Sequence, residues 1–489
     1  MRTNPHVLEI NTHIWFRTLQ RNGNGSPQTL ADVPQEGLLS IKKLGFDAVW
    51  LMGVWLESPA SRQIARNDKA INDYLQKVRP GYSREDIMGS QYSIYGYDVH
   101  PFLGGNEALL KLKKRLNDMG IALILDFAGN HLSVDHPLTL SEPEIFVRSQ
   151  GEPQDKTLFF QTKNGDWLAH GKDPYFPPWT DTAQINHFNP KARKFLTDSL
   201  LKISKLCDGL RCDMVMLMLN KVFKDAWGRF VSEPAPQEEF WPQAIAEVKA
   251  NAPLFVFSAE VYWGLEWEVQ ESGFDYTYDK ILYDRLLMSS PQDILGHLNA
   301  EHLYQKRSIR FISNHDEQTP STAFGVEKSK AAAAVMSTIS GMKLFTIPQL
   351  WGVKERFPIQ YITKGFEVNR DIFNFYNKLL AIVNDPCFHG GQVALKRIRP
   401  VSDDDQTSAN IMAWAWTQFT TCKIVAINYS NAPARCLLPI DKVPQSAMLP
   451  ITEEFTQQVL RVPTDEAKKT GLRLELKPYE CKIFTSEFC

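Results

Sequence analysis

Four short segments hold the residues of this chain best suited to chemistry: Asp126-Phe127-Ala128-Gly129-Asn130-His131, Gly209-Leu210-Arg211-Cys212-Asp213, Ala259-Glu260 and Asn314-His315-Asp316. Each sets a charged or imidazole group where an apolar run stops. The runs, residues 121–125, a stretch ending at 210, 253–257 and 308–312, read as short buried strands. A single carboxylate at a strand end is usually a surface or capping residue, but three together suit retaining glycoside hydrolysis. That reaction needs a carboxylate nucleophile and a protonated carboxyl acid about 5 Å apart on opposite sides of the scissile bond. Asp213 and Glu260, on consecutive strands, are expected at the same rim. Arg211 lies two residues before Asp213, so it shares its strand face and is expected to keep that carboxylate ionised. Glu260 is expected to carry a proton, with Tyr262, Trp263 and the Asp213 charge pushing its affinity up. Asp316 supplies a second negative group to a developing oxocarbenium ion, and His131 and His315 add hydrogen bonds.

These groups need strands to hold them. Residues 9–15 read as a first strand and 46–51 as a second, after a helix near 38–44. Asn106 reads as the cap of a helix whose Leu109, Leu112, Leu116 and Met119 share one face, and Gly120 ends it before the third strand. A helix around 195–203 feeds the fourth strand, and the fifth ends at Glu260. Residues 273–276, 309–313 and 342–347 complete a count of eight in strand–helix alternation, with polar groups at the carboxyl ends as in a barrel enzyme. About sixty residues rich in Pro, Gly, Asp and aromatics follow the third strand and read as a small inserted subdomain, since a structureless loop of that length is improbable. A shorter insertion covers 58–95. Beyond Gly391 the pattern changes to short alternating segments at 411–416, 423–428, 472–476 and 481–485, an all-β region.

Composition narrows the partners. A net charge of −2 and a pI near 6.6 imply no polyanion-binding surface, so neither nucleic acid nor an anionic membrane is expected. There is no run of about 18 apolar residues and no export signal at the N-terminus. The seven cysteines are odd in number and scattered, which reads as reduced thiols in a cytoplasmic protein. Oligomeric state has no sequence argument.

Taken in order and spacing, the four segments resemble the signature regions of the α-amylase family, glycoside hydrolase family 13, and the resemblance runs over essentially the full length. It implies a (β/α)8 TIM barrel (1–131 and 191–389), a subdomain inserted after the third strand (132–190) and a C-terminal all-β sandwich (390–489). It also implies an oligosaccharide or α-glucan substrate. By position, Asp213 corresponds to the nucleophile, Glu260 to the general acid/base and Asp316 to the transition-state stabiliser. Arg211, His131 and His315 correspond to residues lining the subsite of the reacting glucose. Tyr92 resembles the aromatic platform under that sugar, and Gln184-Ile185-Asn186 the fifth signature region.

The chain departs from the family pattern at several points. Met216 and Leu217 stand where many α-amylases carry a Lys-His pair that contacts leaving-group sugars and a structural calcium. Asn130 matches another calcium ligand but is read as a hydrogen-bonding loop residue, so no cofactor is expected. Gly96 replaces an Asp of many exo-acting members, which leans toward an open cleft, and Pro348-Gln349-Leu350 replaces a Gly-Gln-Glu. Trp263 reads equally as a stacking surface for a leaving-group sugar and as packing. Hydrolase and transglycosylase share every residue named. An inactive carbohydrate-binding homologue, or a metalloenzyme using His131, His136, His315 and Asp316, are the readings from other classes. Trp414 and Trp416, two apart on one strand face, read as core or as a glucan platform.

Overall fold

The computed structural model describes residues 1–21, 27–363, 365–440 and 443–487. Eight parallel strands close into a barrel: β1 His6–Asn11, β2 Ala48–Met52, β3 Ala122–Ala128, β4 Gly209–Asp213, β5 Val256–Ala259, β6 Tyr276–Tyr278, β7 Ser308–Arg310 and β8 Met342–Thr346. Strands buried on both faces read as continuous apolar runs, which is why the sequence displays them. The register carries the functional consequence. Glu9 sits beside Trp50 and Thr346, and Arg211 beside Asp126 and Ser258. Partners in a parallel register share a face, so these side chains project into one barrel interior.

Several boundaries differ from expectation. The first strand stops at Asn11, and Thr12–Arg21 is a helix. The Asn11 side chain accepts from the Ile14 backbone N–H at 3.2 Å, turning the chain into the helix two residues after the inward-facing Glu9. Asn106 does not cap its helix, Gly105–Asp118, whose N-cap is the left-handed Gly104. Its side chain instead accepts from Val99 N–H and donates to Asp98. The sixth strand lies later than expected, and the segment around Gly273 is the turn that enters it.

Between β3 and β4, His131–Ser133 pairs antiparallel with Thr182–Gln184, and a three-stranded sheet adds Arg148–Ser149, Phe159–Gln161 and Trp167–Ala169. A separate small core of Val147, Phe159, Phe188, Phe223 and Trp227 supports this insertion. The shorter insertion folds as helices Pro59–Asn67 and Lys69–Val78.

The C-terminal region pairs a six-stranded antiparallel sheet with a two-stranded one. The strand next to one edge of the larger sheet, β9 Ile411–Gln418, shows the period of two plainly. Ile411, Ala413 and Ala415 enter the core between the sheets, while Met412, Trp414 and Trp416 join the barrel's core. Both indole N–H groups donate to the Thr338 carbonyl, at 2.9 and 2.5 Å. Thr338 ends the Val326–Thr338 helix, whose last carbonyls lack helical partners, so the tryptophans both pack and cap. Core, not a glucan platform, is the answer for this pair.

Cys207, Cys212, Cys387, Cys436 and Cys481 are free thiols, four of them buried. Cys422 is disulfide-bonded, which corrects the all-reduced expectation. Among the described residues, no helix is long and apolar enough to cross a membrane.

Candidate active site

At the carboxyl end of the barrel lies a cleft of about 620 Å³ lined by Tyr92, His131, Asp213, Glu260, Trp263 and Asp316, among others. Six of the eight residues singled out from the sequence therefore meet in one concavity. Arg211 lies beneath them, fully buried. Its Nη1 bonds Asp213 Oδ1 at 2.8 Å and its Nη2 pairs with Glu260 Oε2 at 2.7 Å. The guanidinium also faces the Trp50, Tyr92 and Tyr278 rings, 5.2, 5.2 and 5.6 Å from their centroids. A charge this deep is stable only with such paired and π partners.

Glu260 is held at both oxygens. Tyr262 donates its hydroxyl to Oε1 at 2.8 Å, and the Met214 backbone N–H donates to Oε2 at 2.9 Å. Met214 reaches it because the chain turns left-handed directly after Asp213, with φ 43°. A non-glycine residue in that region is uncommon and is found where a site fixes the backbone. The expectation that Arg211 keeps Asp213 in the ordinary carboxylate range is not met. Burial, and then the Glu260 charge, push the Asp213 carboxyl up to about 8 against the opposing guanidinium. The expected role of Tyr262 as an apolar neighbour of Glu260 is also corrected, since it is a hydrogen-bond donor to it.

His315 stands apart from the cleft lining. Its ring stacks on Tyr92, with centroids 5.2 Å apart and planes at 20°. Nδ1 meets Glu9 Oε1 at 2.8 Å and Nε2 pairs with Asp316 Oδ2 at 3.1 Å. Burial works against a charge on this imidazole, but Asp316 and Glu9 together raise it well above its ordinary value. The half-exposed Asp316 is in turn held below the usual carboxylate range, desolvation being outweighed by His315. His131 is different: burial holds it down to about 4, so it is neutral at pH 7. Asp126 accepts from Trp50 Nε1 at 3.1 Å and from the Tyr92 hydroxyl at 3.4 Å, and burial first of all lifts it to about 6.

Trp263 is 39% exposed, with φ 68°, and meets Tyr175 edge to face at 5.3 Å. It belongs to the rim. Gly96 pairs with Leu56 in a strand outside the cleft. Asn130 is engaged by Gln184, whose Nε2 donates to its Oδ1 at 3.0 Å. Among the described residues, no group of three or more His, Cys, Asp or Glu could hold a metal ion.

Sequence reasoning missed Glu9. A lone Glu inside an apolar strand was the available signal for Glu9, since an unpaired carboxylate is almost never placed there.

Comparison with known proteins gives this geometry a context. A family model described as the catalytic domain of alpha amylase matches residues 35–347. α-Amylase MalA of Haloarcula japonica is 23% identical over 434 residues, 87% of this chain and 56% of that protein, so the chain spans little more than half of that relative. A probable oligo-1,6-glucosidase of Bacillus subtilis is 27% identical over 30% of each chain. Among solved structures, the maltogenic α-amylase AmyB of Thermotoga neapolitana superposes with a TM-score of 0.68 at 18% identity, over 99% of this chain and 98% of that one. The α-amylase of Geobacillus thermoleovorans, solved with acarbose, gives 0.66 at 17% identity over 99% of both. At such identities the superpositions show the fold, while the catalytic-domain match covers more than half of the sequence: the chain belongs to the α-amylase family.

Proposed function

We propose that this protein is a retaining glycoside hydrolase that cleaves α-glucosidic bonds in malto-oligosaccharides or α-glucans. The observation that carries this reading is the single Arg211 guanidinium set between Asp213 and Glu260. Two carboxyl groups held by one guanidinium support a double displacement, whose carboxyl groups stand about 5 Å apart, rather than inversion, which needs room for a water. Asp213 attacks the anomeric carbon while Glu260 protonates the departing oxygen. The bond from Asp213 to the sugar forms as the glycosidic bond breaks. Glu260, now a carboxylate, then takes a proton from the water that releases the sugar.

Burial and the Glu260 charge raise the Asp213 carboxyl, and Arg211 opposes them. Asp316, kept anionic by His315, faces the positive charge that develops on the sugar. Tyr92 supplies the apolar floor, and the neutral His131 can donate one hydrogen bond and accept another.

Transfer to a second sugar is favoured by one specific observation. Tyr175, Phe176 and Trp263 form an aromatic rim beside Glu260, with 70, 65 and 39% exposure. Flat apolar rings there offer an acceptor sugar a surface that water cannot use.

Incubation with maltoheptaose tests the reading: shorter products released first as the α-anomer are expected, and β-anomers would contradict it. Longer products would identify the transferase. We propose that no calcium is needed, because the Asn130 side chain is already engaged by Gln184; a chelator should leave the rate unchanged. The five free thiols support a cytoplasmic location, which the Cys422 bond opposes. Alkylation of thiols at the moment of cell lysis decides whether that bond exists there.

A further inference from the structure

A second cavity, of about 350 Å³, is lined by His315, which does not line the cleft. It lies at the carboxyl ends of β1 and β8, among the helices Thr12–Arg21, Gln35–Lys43 and Ile347–Trp351. Ile14, Trp15, Leu19, Leu350, Trp351 and Phe366 give it an apolar body. Its inner end is polar. Glu9 and Asn314 both line it, and both are at least nine-tenths buried. Glu9 Oε1 is taken by His315, which leaves Oε2 with no hydrogen-bond partner among the described residues. Asn314 Oδ1 accepts the Asp316 and Glu317 backbone N–H groups, both at 2.9 Å. Those two bonds fix the amide's orientation and leave Nδ2 as a buried donor without a partner among the described residues. An unmet buried donor and an unmet buried acceptor on residues lining one cavity each cost roughly 1–3 kcal/mol, and a ligand that answers both recovers it.

We propose that this cavity binds a small neutral molecule with an apolar chain or ring and a primary amide head, and that the occupant acts on the active site through Glu9 and His315. The volume falls within the range of small-molecule pockets. An amide donates to Glu9 Oε2 and accepts from Asn314 Nδ2. A carboxylate has no hydrogen to donate, and it would face Glu9, Glu317 and Glu355 against Arg356. An ammonium group has no acceptor for Asn314. The link to catalysis rests on the function proposed above; the binding site does not.

Calorimetric titration of the full-length protein with octanamide, octanoate and octylamine tests the site. Octanamide should bind saturably, one per chain, and at least about tenfold more tightly than either charged analogue. Equal affinities, or no saturable binding of the amide, would overturn the proposal. A blocked variant completes the test. Gly37 lines the cavity, and a Cβ added there meets no atom within 4 Å. Gly37→Trp should therefore fold and retain its rate on maltoheptaose, because a larger residue in a helix interior costs less than glycine. It should lose octanamide binding at least tenfold, and undiminished binding would place the ligand elsewhere. For the link, saturating octanamide should change kcat on maltoheptaose in the wild type and not in Gly37→Trp. An unchanged kcat with binding intact overturns the link alone. Absence of any activity would instead count against the proposed function while the calorimetry still reads the site.

Discussion

Glu9 and His315 lie 306 residues apart in sequence, yet Glu9 Oε1 sits 2.8 Å from His315 Nδ1 toward the carboxyl end of the barrel. With Asp316 on the other ring nitrogen, a chain of carboxylate, imidazole and carboxylate runs from β1 to the cleft. The carboxylates of Asp316 and Glu9 on its two sides favour the charged imidazole, which in turn holds Asp316 anionic.

Replacing Glu9 with Gln keeps the shape and removes one of the two charges that sustain the imidazolium. Losing about 1.5–3 kcal/mol of charge-assisted bonding is expected to lower kcat roughly ten- to a hundredfold with little effect on KM. The alkaline limb of the rate profile should move to lower pH as His315 loses its proton more easily. A stable variant with an unmoved profile would show that Glu9 only fills space.

Asp213 makes the fold sensitive to pH. Its folded value of about 8 lies above the ordinary 3.8 of a carboxyl group in the unfolded chain. Between those values the native state binds the proton more tightly, so its contribution is complete below about pH 4 and is lost as pH rises through 8. Asp213→Asn removes that titration. Melting temperatures at pH 5 and pH 8.5 should differ less in the variant than in the wild type, and an equal or larger difference would contradict the assigned direction.

Much of this site is legible in the sequence. Asp213, Glu260 and Asp316 announce themselves because each follows a run of buried apolar residues, and β3, β5 and β7 overlap those runs. What the sequence hides is whatever depends on closure of the barrel. Glu9 pairs with His315 only because β1 lies beside β8 and near β7, a contact that no local pattern encodes. The same holds for the direction of the Asp213 shift, which depends on how deeply Arg211 and Glu260 are buried with it. The Asn11 turn explains the first strand's misplaced end: residues 12–15 continue the apolar pattern, and one side-chain bond to Ile14 diverts them into a helix.

Trp263 tests the aromatic rim. Trp263→Ala removes a stacking surface worth about 0.5–1.5 kcal/mol, so transfer products from maltoheptaose should fall roughly two- to tenfold relative to hydrolysis. An unchanged ratio would make its partner Tyr175 and the rim structural.

Trp414 joins the C-terminal sheet to the barrel. Trp414→Ala should destabilise the protein by about 3–5 kcal/mol, through the cavity left and the indole bond lost at Thr338. Chemical denaturation reads this directly. A loss below about 1 kcal/mol would mean that the sheet contributes little to the barrel's stability.

The central claim is a covalent glycosyl bond to Asp213, and the Glu260→Gln variant can hold that intermediate long enough to weigh it. Given α-maltosyl fluoride, whose fluoride departs without a proton, the variant forms the bond but has no base to activate the water that would break it. Mass spectrometry of the quenched, digested protein should find one maltosyl group on the peptide containing Asp213. A peptide left unmodified while fluoride is released, or the sugar attached to Asp316 or Asp126, would contradict the account.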